Sequence, residues 1–343
     1  MKILYLSVGD RSVASSRTRV YSFVPYLKSG SPGIKARVIC YTPSWQCRRI
    51  LAMQRLNIAQ KICAKAYSGA IILSLMAAAP FFDVICIQKV ILSRFNMAVL
   101  KILNGRIVFD FDDAIYMKKD ITHMLRAASC VIVSNNYLRE FALKYNPKVY
   151  KMISPVKVEG GVRAQKGDEV RLGWIGLPET SAYLYPVLPV LGRLKNEFGN
   201  LKMEFMGCAK NGDFDLLGIR CTAWSLDAEK DYLGSLDIGI MPLFNDRWAQ
   251  GKGGYKLLQY MAMGIPCVAS PVGVNREIIK DGINGFLADD EKEWHERLSR
   301  LIKNPALRGR MGGEGRRMAR ELYSYETHAP MLMSIFEKAN GRG

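Results

Sequence analysis

Residues 251–273 read "GKGGYKLLQYMAMGIPCVASPVG". Nothing after Gly254 breaks a helix until Gly264-Ile265-Pro266, so the pattern predicts a helix from about Gly253 to Met263, then a short apolar strand. At 3.6 residues per turn Lys252, Lys256 and Gln259 share one side of it, while Leu257, Leu258 and Met261 point elsewhere. Gly253 and Gly254 at its start leave backbone N–H groups unobstructed, and the positive end of the helix dipole adds to two ammonium groups. The stretch reads as an anion site at the mouth of a parallel sheet, where each charge-assisted hydrogen bond is worth roughly 1.5 to 3 kcal/mol. A solvated lysine face over a core helix is the other reading.

The alternation of helix and short strand extends in both directions, the mark of β-α units on a parallel sheet. Strand candidates lie at residues 3–8, 35–40, 84–87, 106–109, 131–133 and 149–152, with helical stretches such as 19–28 and 137–145 between them. Residues 154–169, "SPVKVEGGVRAQKGDE", carry Pro, Gly and charge without periodicity and read as a linker. A second series opens with "RLGWIG" at residue 171 and continues through "LKMEFMG", "IRCTAW", "LDIGIMP" and "PCVAS". The predicted organisation is a doubly wound α/β domain over residues 1–155, a linker over 156–170, a second such domain over 171–324, and a C-terminal helix over 325–343 packing back on the first. Such sheets bind ligands beyond the carboxyl ends of their strands, and paired domains put those ends across a cleft.

The 343 residues are 49% hydrophobic and carry 49 Lys and Arg against 31 Asp and Glu, a net charge of +18. That balance favours polyanions, phosphorylated metabolites or anionic headgroups as partners. The eight cysteines are scattered, without metal-ligand spacing, and are expected to be reduced. "MKILYLSVGD" is too short in its apolar part for a signal peptide. The longest apolar stretch, "SGAIILSLMAAAPFFDVICI", is cut by Pro80 and Asp83, so no transmembrane helix is expected. Residues 47–82 mix Arg48, Arg49, Arg55, Lys61 and Lys65 with long apolar residues. A helix of that makeup either covers the first sheet or lies in a headgroup layer, where each basic residue contributes about 1 kcal/mol.

"KLLQYMAMGIPCVASPVGVNREIIKDGINGFL" resembles the donor-binding segment of retaining GT-B glycosyltransferases of the group 1, or family 4, set. The similarity continues through "LIKNPALRGRMGGEGRRMARELYS" and takes in "GWIG" and "DIGIMPL", covering most of residues 171–325. The resemblance implies a GT-B fold, two Rossmann-like domains facing a cleft, and a nucleotide-sugar donor whose diphosphate and ribose meet Lys252, Gly253, Gly254, Lys256, Gln259 and Gly176. It implies no cofactor and no catalytic metal. Many members carry Glu, seven residues, Glu; here Gln259 takes the second place and Gly251 the first. Glutamine still accepts a hydrogen bond from a ribose hydroxyl. The sugar contact of the first glutamate has no equivalent, and the lysines are left to stabilise the departing diphosphate.

"RIVFDFDDAIY", residues 106–116, puts three carboxylates at a strand end. Alternation sends Asp110 and Asp112 to one side and Asp113 to the other if the strand runs that far. A haloacid-dehalogenase-type phosphatase needs a Gly-Thr that is absent, and a metal-bound DxD of a GT-A transferase lacks a second Rossmann-like half. By the GT-B resemblance Asp112 or Asp113 orients the acceptor hydroxyl or supports oxocarbenium charge; capping the next helix is the plainer role. In "SVGDRSVASSRTRVYSF", Ser16, Arg17 and Arg19 open a helix after the first strand, placed for a sugar-rich or anionic acceptor. His123, His295 and His328 are expected to have no catalytic part.

The expectation is therefore a retaining glycosyltransferase moving a sugar from a nucleotide sugar to a saccharide or lipid-linked acceptor, in envelope polysaccharide or glycolipid synthesis. It is expected in the cytoplasm, peripherally on the inner face of the membrane, and without a nucleic-acid partner. The rivals are a basic nucleic-acid-binding protein, which lacks a recognisable motif and a concentrated arm, and a GT-B relic that binds nucleotides without turnover.

Overall fold

The computed structural model describes residues 1–30, 33–52, 54–159, 168–209 and 212–341. The chain divides into two compact units: unit 1 is Met1–Pro155, Gly251–Gly253 and Tyr325–Gly343, and unit 2 is Val156–Gln250 and Gly254–Ser324. Of the expected linker, residues 160–167 lie outside the described residues.

Unit 1 is built on six parallel strands, β1 (Lys2–Ser7), β2 (Lys35–Cys40), β3 (Val84–Gln88), β4 (Ile107–Phe111), β5 (Cys130–Val133) and β6 (Val149–Lys151), in the order β2-β1-β3-β4-β5-β6. Helices cover both faces of the central strands, which is why "VICIQ" and "IVFDF" are buried at every position and do not alternate. Strand order reverses between β1 and β3, and the register aligns Ser7, Gln88 and Asp110 across the carboxyl ends. The C-terminal helix Tyr325–Ala339 belongs to this unit: Tyr325 packs edge-on against Phe23 at 5.1 Å and stacks on Tyr26 at 5.0 Å.

Arg19, expected at an acceptor surface, is instead 1% exposed in the core of unit 1. A π-helical turn, Arg17–Tyr21, rotates it inward. Its Nη2 donates to Asp110 Oδ1 at 2.6 Å, its Nε to the same carboxylate at 2.9 Å, and its Nη1 to Met152 O and Ser154 Oγ at 3.0 and 3.1 Å. Burial alone would lower the guanidinium's pKa, but Asp110 beside it outweighs that and raises it. Asp110 and Asp112 therefore do not share an outward face: β4 ends at Phe111, Asp110 turns into the core, and Asp112 and Asp113 follow the strand.

Unit 2 has strands β7 (Val170–Ile175), β8 (Leu201–Met206), β9 (Arg220–Thr222), β10 (Ile238–Met241), β11 (Cys267–Ala269) and β12 (Gly285–Leu287), all parallel, in the order β12-β11-β10-β7-β8-β9. This is the Rossmann order, with its switch point between β7 and β10. The helix Tyr255–Ala262 seats there because Gly239 of β10 has no side chain; a Cβ on it would lie 2.6 Å from the Tyr260 ring. Gly312 of the helix Pro305–Tyr323 admits Gly264 O more closely still, at 1.9 Å from where a Cβ would stand, and Arg316 Nη1 caps the shorter helix by donating to Ala262 O at 2.9 Å.

Three expectations are corrected. The helix expected from Gly253 starts at Tyr255, because Gly254 is left-handed at φ 68°, a conformation that interrupts an α-helix; Lys252 therefore lies before the helix and not on one face with Lys256. Not all cysteines are single: Cys208 and Cys221 pair as a disulfide, with Cα atoms 6.2 Å apart, and the other six are free. The apolar run is also longer than Pro80 and Asp83 suggest. It begins upstream, as the helix Ile58–Ala78, and residues 58–81, which contain an 18-residue window of mean hydropathy 1.6, are long and apolar enough to cross a membrane by length and composition.

Truncating one partner of a buried ion pair strands the other, at a cost of about 3 to 5 kcal/mol. Urea denaturation of Arg19→Met is expected to show a loss of that size, and Arg19→Met/Asp110→Leu a smaller one. Equal losses in the two proteins would mean the pair is not the source.

Candidate active site

In unit 1 the carboxyl ends of β1 and β3 are tied together by polar groups. Gln88 Oε1 accepts from Val8 N at 3.3 Å and Ser16 Oγ at 3.2 Å, while Ser16 Oγ accepts from Gly9 N at 3.0 Å. Ser16, an expected acceptor ligand, is thus a buried brace for the turn after β1. Arg17 is half-buried, donating to Arg11 O at 3.2 Å within the same loop.

The next residue, Lys89, adopts the left-handed φ of 58°, and its N donates to Asp110 O at 2.9 Å. A non-glycine residue there stores roughly 1 to 3 kcal/mol of strain, offset by what its side chain gains. Lys89 Nζ lies 3.0 Å from Asp112 Oδ1 and 2.5 Å from Asp113 Oδ2. Burial opposes the charge of Lys89, but Asp112 and Asp113 outweigh it and push its pKa up. Burial likewise opposes the charge of Asp113, yet Lys89 and then Lys252 hold its carboxyl below the ordinary range. Asp112 is 13% exposed and Asp113 32%, so the cluster reaches the surface chiefly through Asp113.

Lys252 belongs to this cluster through its loop. Asn135 Nδ2 donates to Lys252 O at 2.9 Å, and a Cβ on Gly253 would stand 3.5 Å from Asp112 O and from Ser134. Gly251, where the resembled family carries its first glutamate, lies against Ala114: a Cβ there would come within 2.7 Å of Ala114 Cβ. Glycine at 251 is therefore what lets the loop lie down on this part of unit 1. Asp110 is enclosed by Arg19, and Asp112 is paired with Lys89. Among the described residues no group of three or more His, Cys, Asp or Glu side chains is placed to hold a metal ion.

In unit 2 glycines let the chain pack closely at the carboxyl ends of β7 and β8. A Cβ on Gly176 would lie 2.2 Å from the Trp174 ring, and one on Gly207, at φ 77°, would lie 2.1 Å from Gly176 O. Lys256 Nζ sits 5.0 Å from the Trp174 ring centroid, one turn ahead of Tyr260. Tyr260 anchors the helix, its hydroxyl accepting from Ile175 N and donating to Ile240 O, both at 3.3 Å. Gln259 is buried and donates its Nε2 to Glu229 Oε1 at 3.0 Å, while Trp224 Nε1 donates to Glu229 Oε2 at 2.8 Å. Because a carboxylate only accepts, the amide nitrogen must face Glu229, and the amide oxygen is the acceptor that Gln259 presents. The start of the helix is closely packed: Gly254 is buried, and a Cβ on it would strike Ile278 at 2.6 Å.

Of the expected site residues, Gly176, Gly254, Lys256 and Gln259 fall in unit 2, and Asp112, Asp113, Lys252 and Gly253 in unit 1, where Ser16 and Arg19 are interior. Lys89, Trp174 and Glu229 went unread. A lysine straight after the apolar strand "VICIQ" was a usable signal; Glu229, in an ordinary polar helix, gave none.

Residues 187–304 match the family model described as Glycosyl transferases group 1. The chain is 35% identical over 81 residues to spore coat protein SA of Bacillus subtilis, covering 23% of this chain and 22% of that protein. It is 30% identical over 101 residues to a D-inositol 3-phosphate glycosyltransferase of a Nocardioides species, covering 29% of this chain and 21% of that protein. These alignments thus span under a quarter of either relative's length. The crystal structure of Anabaena HepE in complex with UDP and glucose superposes with a TM-score of 0.71 at 13% identity, covering 98% of this chain and 100% of that one. That likeness shows the fold: two doubly wound α/β units, as in the GT-B glycosyltransferases.

Proposed function

We propose that the chain is a glycosyltransferase that moves a sugar from a nucleotide-sugar donor to a saccharide or lipid-linked acceptor, with retention of anomeric configuration, in envelope polysaccharide or glycolipid synthesis. The observation that carries the reading is Lys256, held over Trp174 at the carboxyl end of β7, on the helix that follows the switch point of unit 2. An anionic ligand suits a cation at a Rossmann switch point. The match of residues 187–304 to group 1 glycosyltransferases supports it, as does the UDP and glucose held by the Anabaena protein of like fold.

In this reading Lys256, with the positive end of its helix, holds the diphosphate and stabilises its charge as the bond to the anomeric carbon breaks. The Gln259 amide oxygen accepts from a ribose hydroxyl. The acceptor hydroxyl attacks from the face the diphosphate leaves, and its proton passes to a diphosphate oxygen, so neither a covalent enzyme intermediate nor an enzyme nucleophile is needed. Asp113, kept ionised by Lys89 and Lys252, orients the acceptor hydroxyl. Charge stabilisation is assigned to lysine and not to a metal ion, because Asp110 and Asp112 are already engaged by Arg19 and Lys89.

Calorimetry with Lys256→Ala is expected to show about thirtyfold weaker binding of nucleoside diphosphate, from loss of one contact of roughly 2 kcal/mol, with nucleoside binding nearly unchanged. Equal losses for both would remove the lysine from the phosphate. For Asp113→Asn, steady-state kinetics should give a lower kcat at unchanged donor affinity, and Asp112→Asn a smaller fall; wild-type kcat in both would make the cluster structural. The native pKa of Asp113 lies below its unfolded value, so its contribution to stability is present above the ordinary carboxylate range and is lost as pH falls through the native value. Replacing Lys89 by Met is expected to move the Asp113 titration upward in carboxyl-carbon NMR, whereas an unmoved titration would show that Lys89 does not hold the charge.

A further inference from the structure

The helix Ile58–Ala78 is 21 residues long, yet only Ala64 and Leu75 are buried. Ile58, Ile62 and Leu73 are 77%, 63% and 71% exposed and fall on one side of it at helical spacing, with Phe81 just beyond at 72%. The helix Arg94–Leu103 packs beside it and exposes Phe95 and Ile102. An apolar surface of that extent on a soluble unit marks a docking face.

Its charge names the partner. Residues 11–82 contain eleven Lys and Arg and no Asp or Glu. Lys61 and Lys65 run along one border of the apolar stripe, both exposed. Against the helix Arg94–Leu103 lies a groove of 380 Å³ lined by Arg94, Lys101, His123 and Arg126. A second copy of so cationic a face would be repelled, whereas an anionic layer would be drawn in.

The sheet decides how the helix meets that layer. It connects β2 to β3, and both strands pair with β1, Lys2 opposite Lys35 and Ile3 opposite Val84. Crossing a bilayer would put β2 and β3 on opposite sides and break the sheet, so a helix of spanning length is kept from spanning.

We propose that the helices Ile58–Ala78 and Arg94–Leu103 are a monotopic docking surface for a bilayer rich in anionic headgroups. The Ile58, Ile62 and Leu73 stripe enters the boundary between headgroups and acyl chains, and Lys61, Lys65, Arg94 and Lys101 lie among the phosphates. Flotation of the full chain with vesicles of phosphatidylglycerol and phosphatidylcholine, against phosphatidylcholine alone, tests it. The chain is expected to float with the anionic vesicles at low salt and less at high salt, each of Lys61→Ala and Lys65→Ala lowering partition about fivefold. Ile62→Asp/Leu73→Asp should abolish flotation with an unchanged Tm, since both side chains are exposed, and with unchanged nucleotide affinity, which separates this surface from the donor site. A chain that stays behind with anionic vesicles at low salt, or an Ile62→Asp/Leu73→Asp protein that floats like wild type, overturns the proposal. A dimer in sedimentation velocity that the same double variant dissolves would assign the face to a second copy instead.

Discussion

The buried pair of Arg19 and Asp110 sets the chemistry of unit 1. A fully parallel sheet covered on both faces leaves no water inside for a charge, so Asp110 near the end of β4 is tolerable only with a guanidinium turned onto it. The π-helical turn that aims Arg19 inward, the backbone at Met152 and the Ser154 hydroxyl all converge on that contact. Once Asp110 is satisfied within the core, the chain leaves β4 with Asp112 and Asp113 at the surface end. Lys89, held in a left-handed conformation next to Gln88, gathers both.

Unit 2 reaches its site by removing side chains and not by burying charge. Gly239 lets Tyr260 press the helix Tyr255–Ala262 onto β10, Gly176 and Gly207 let Trp174 and the backbone pack closely at the ends of β7 and β8, and Gly254 starts the helix in a conformation that other residues adopt at a cost. Four backbone positions without a Cβ thus fix where Lys256 and Gln259 stand. Glu229 and Trp224 then fix which end of the Gln259 amide is presented.

The central strands, such as "VICIQ" and "CVIV", were legible because they are short apolar runs buried at every position; β12, three residues inside "INGFLAD", was too short to stand out. Pattern also located the helix Tyr255–Ala262, but its start was misplaced because Gly253 and Gly254 look alike in sequence and only the second interrupts the helix with a positive φ. Arg19 was misread because its partner lies 91 residues away, and a polar residue after a first strand looks like a ligand contact until that partner is known. The pairing of Lys89 with Asp113, 24 residues apart at the ends of neighbouring strands, was hidden in the same way. The long apolar helix is masked in the sequence because Gln60, Lys61 and Lys65 interrupt its first half while Pro80 and Asp83 close its end.

The central claim is that the chain transfers a sugar from a nucleotide donor with retention. Time-resolved proton NMR of the purified chain with a panel of nucleotide sugars and saccharide acceptors measures it directly. The account predicts that one donor is consumed, that nucleoside diphosphate accumulates with it, and that the first-formed product has the anomeric coupling of the donor. A product of opposite anomeric configuration would contradict the mechanism. Tight nucleotide binding with no turnover across the panel would contradict the activity itself and leave a binding protein built on a transferase fold.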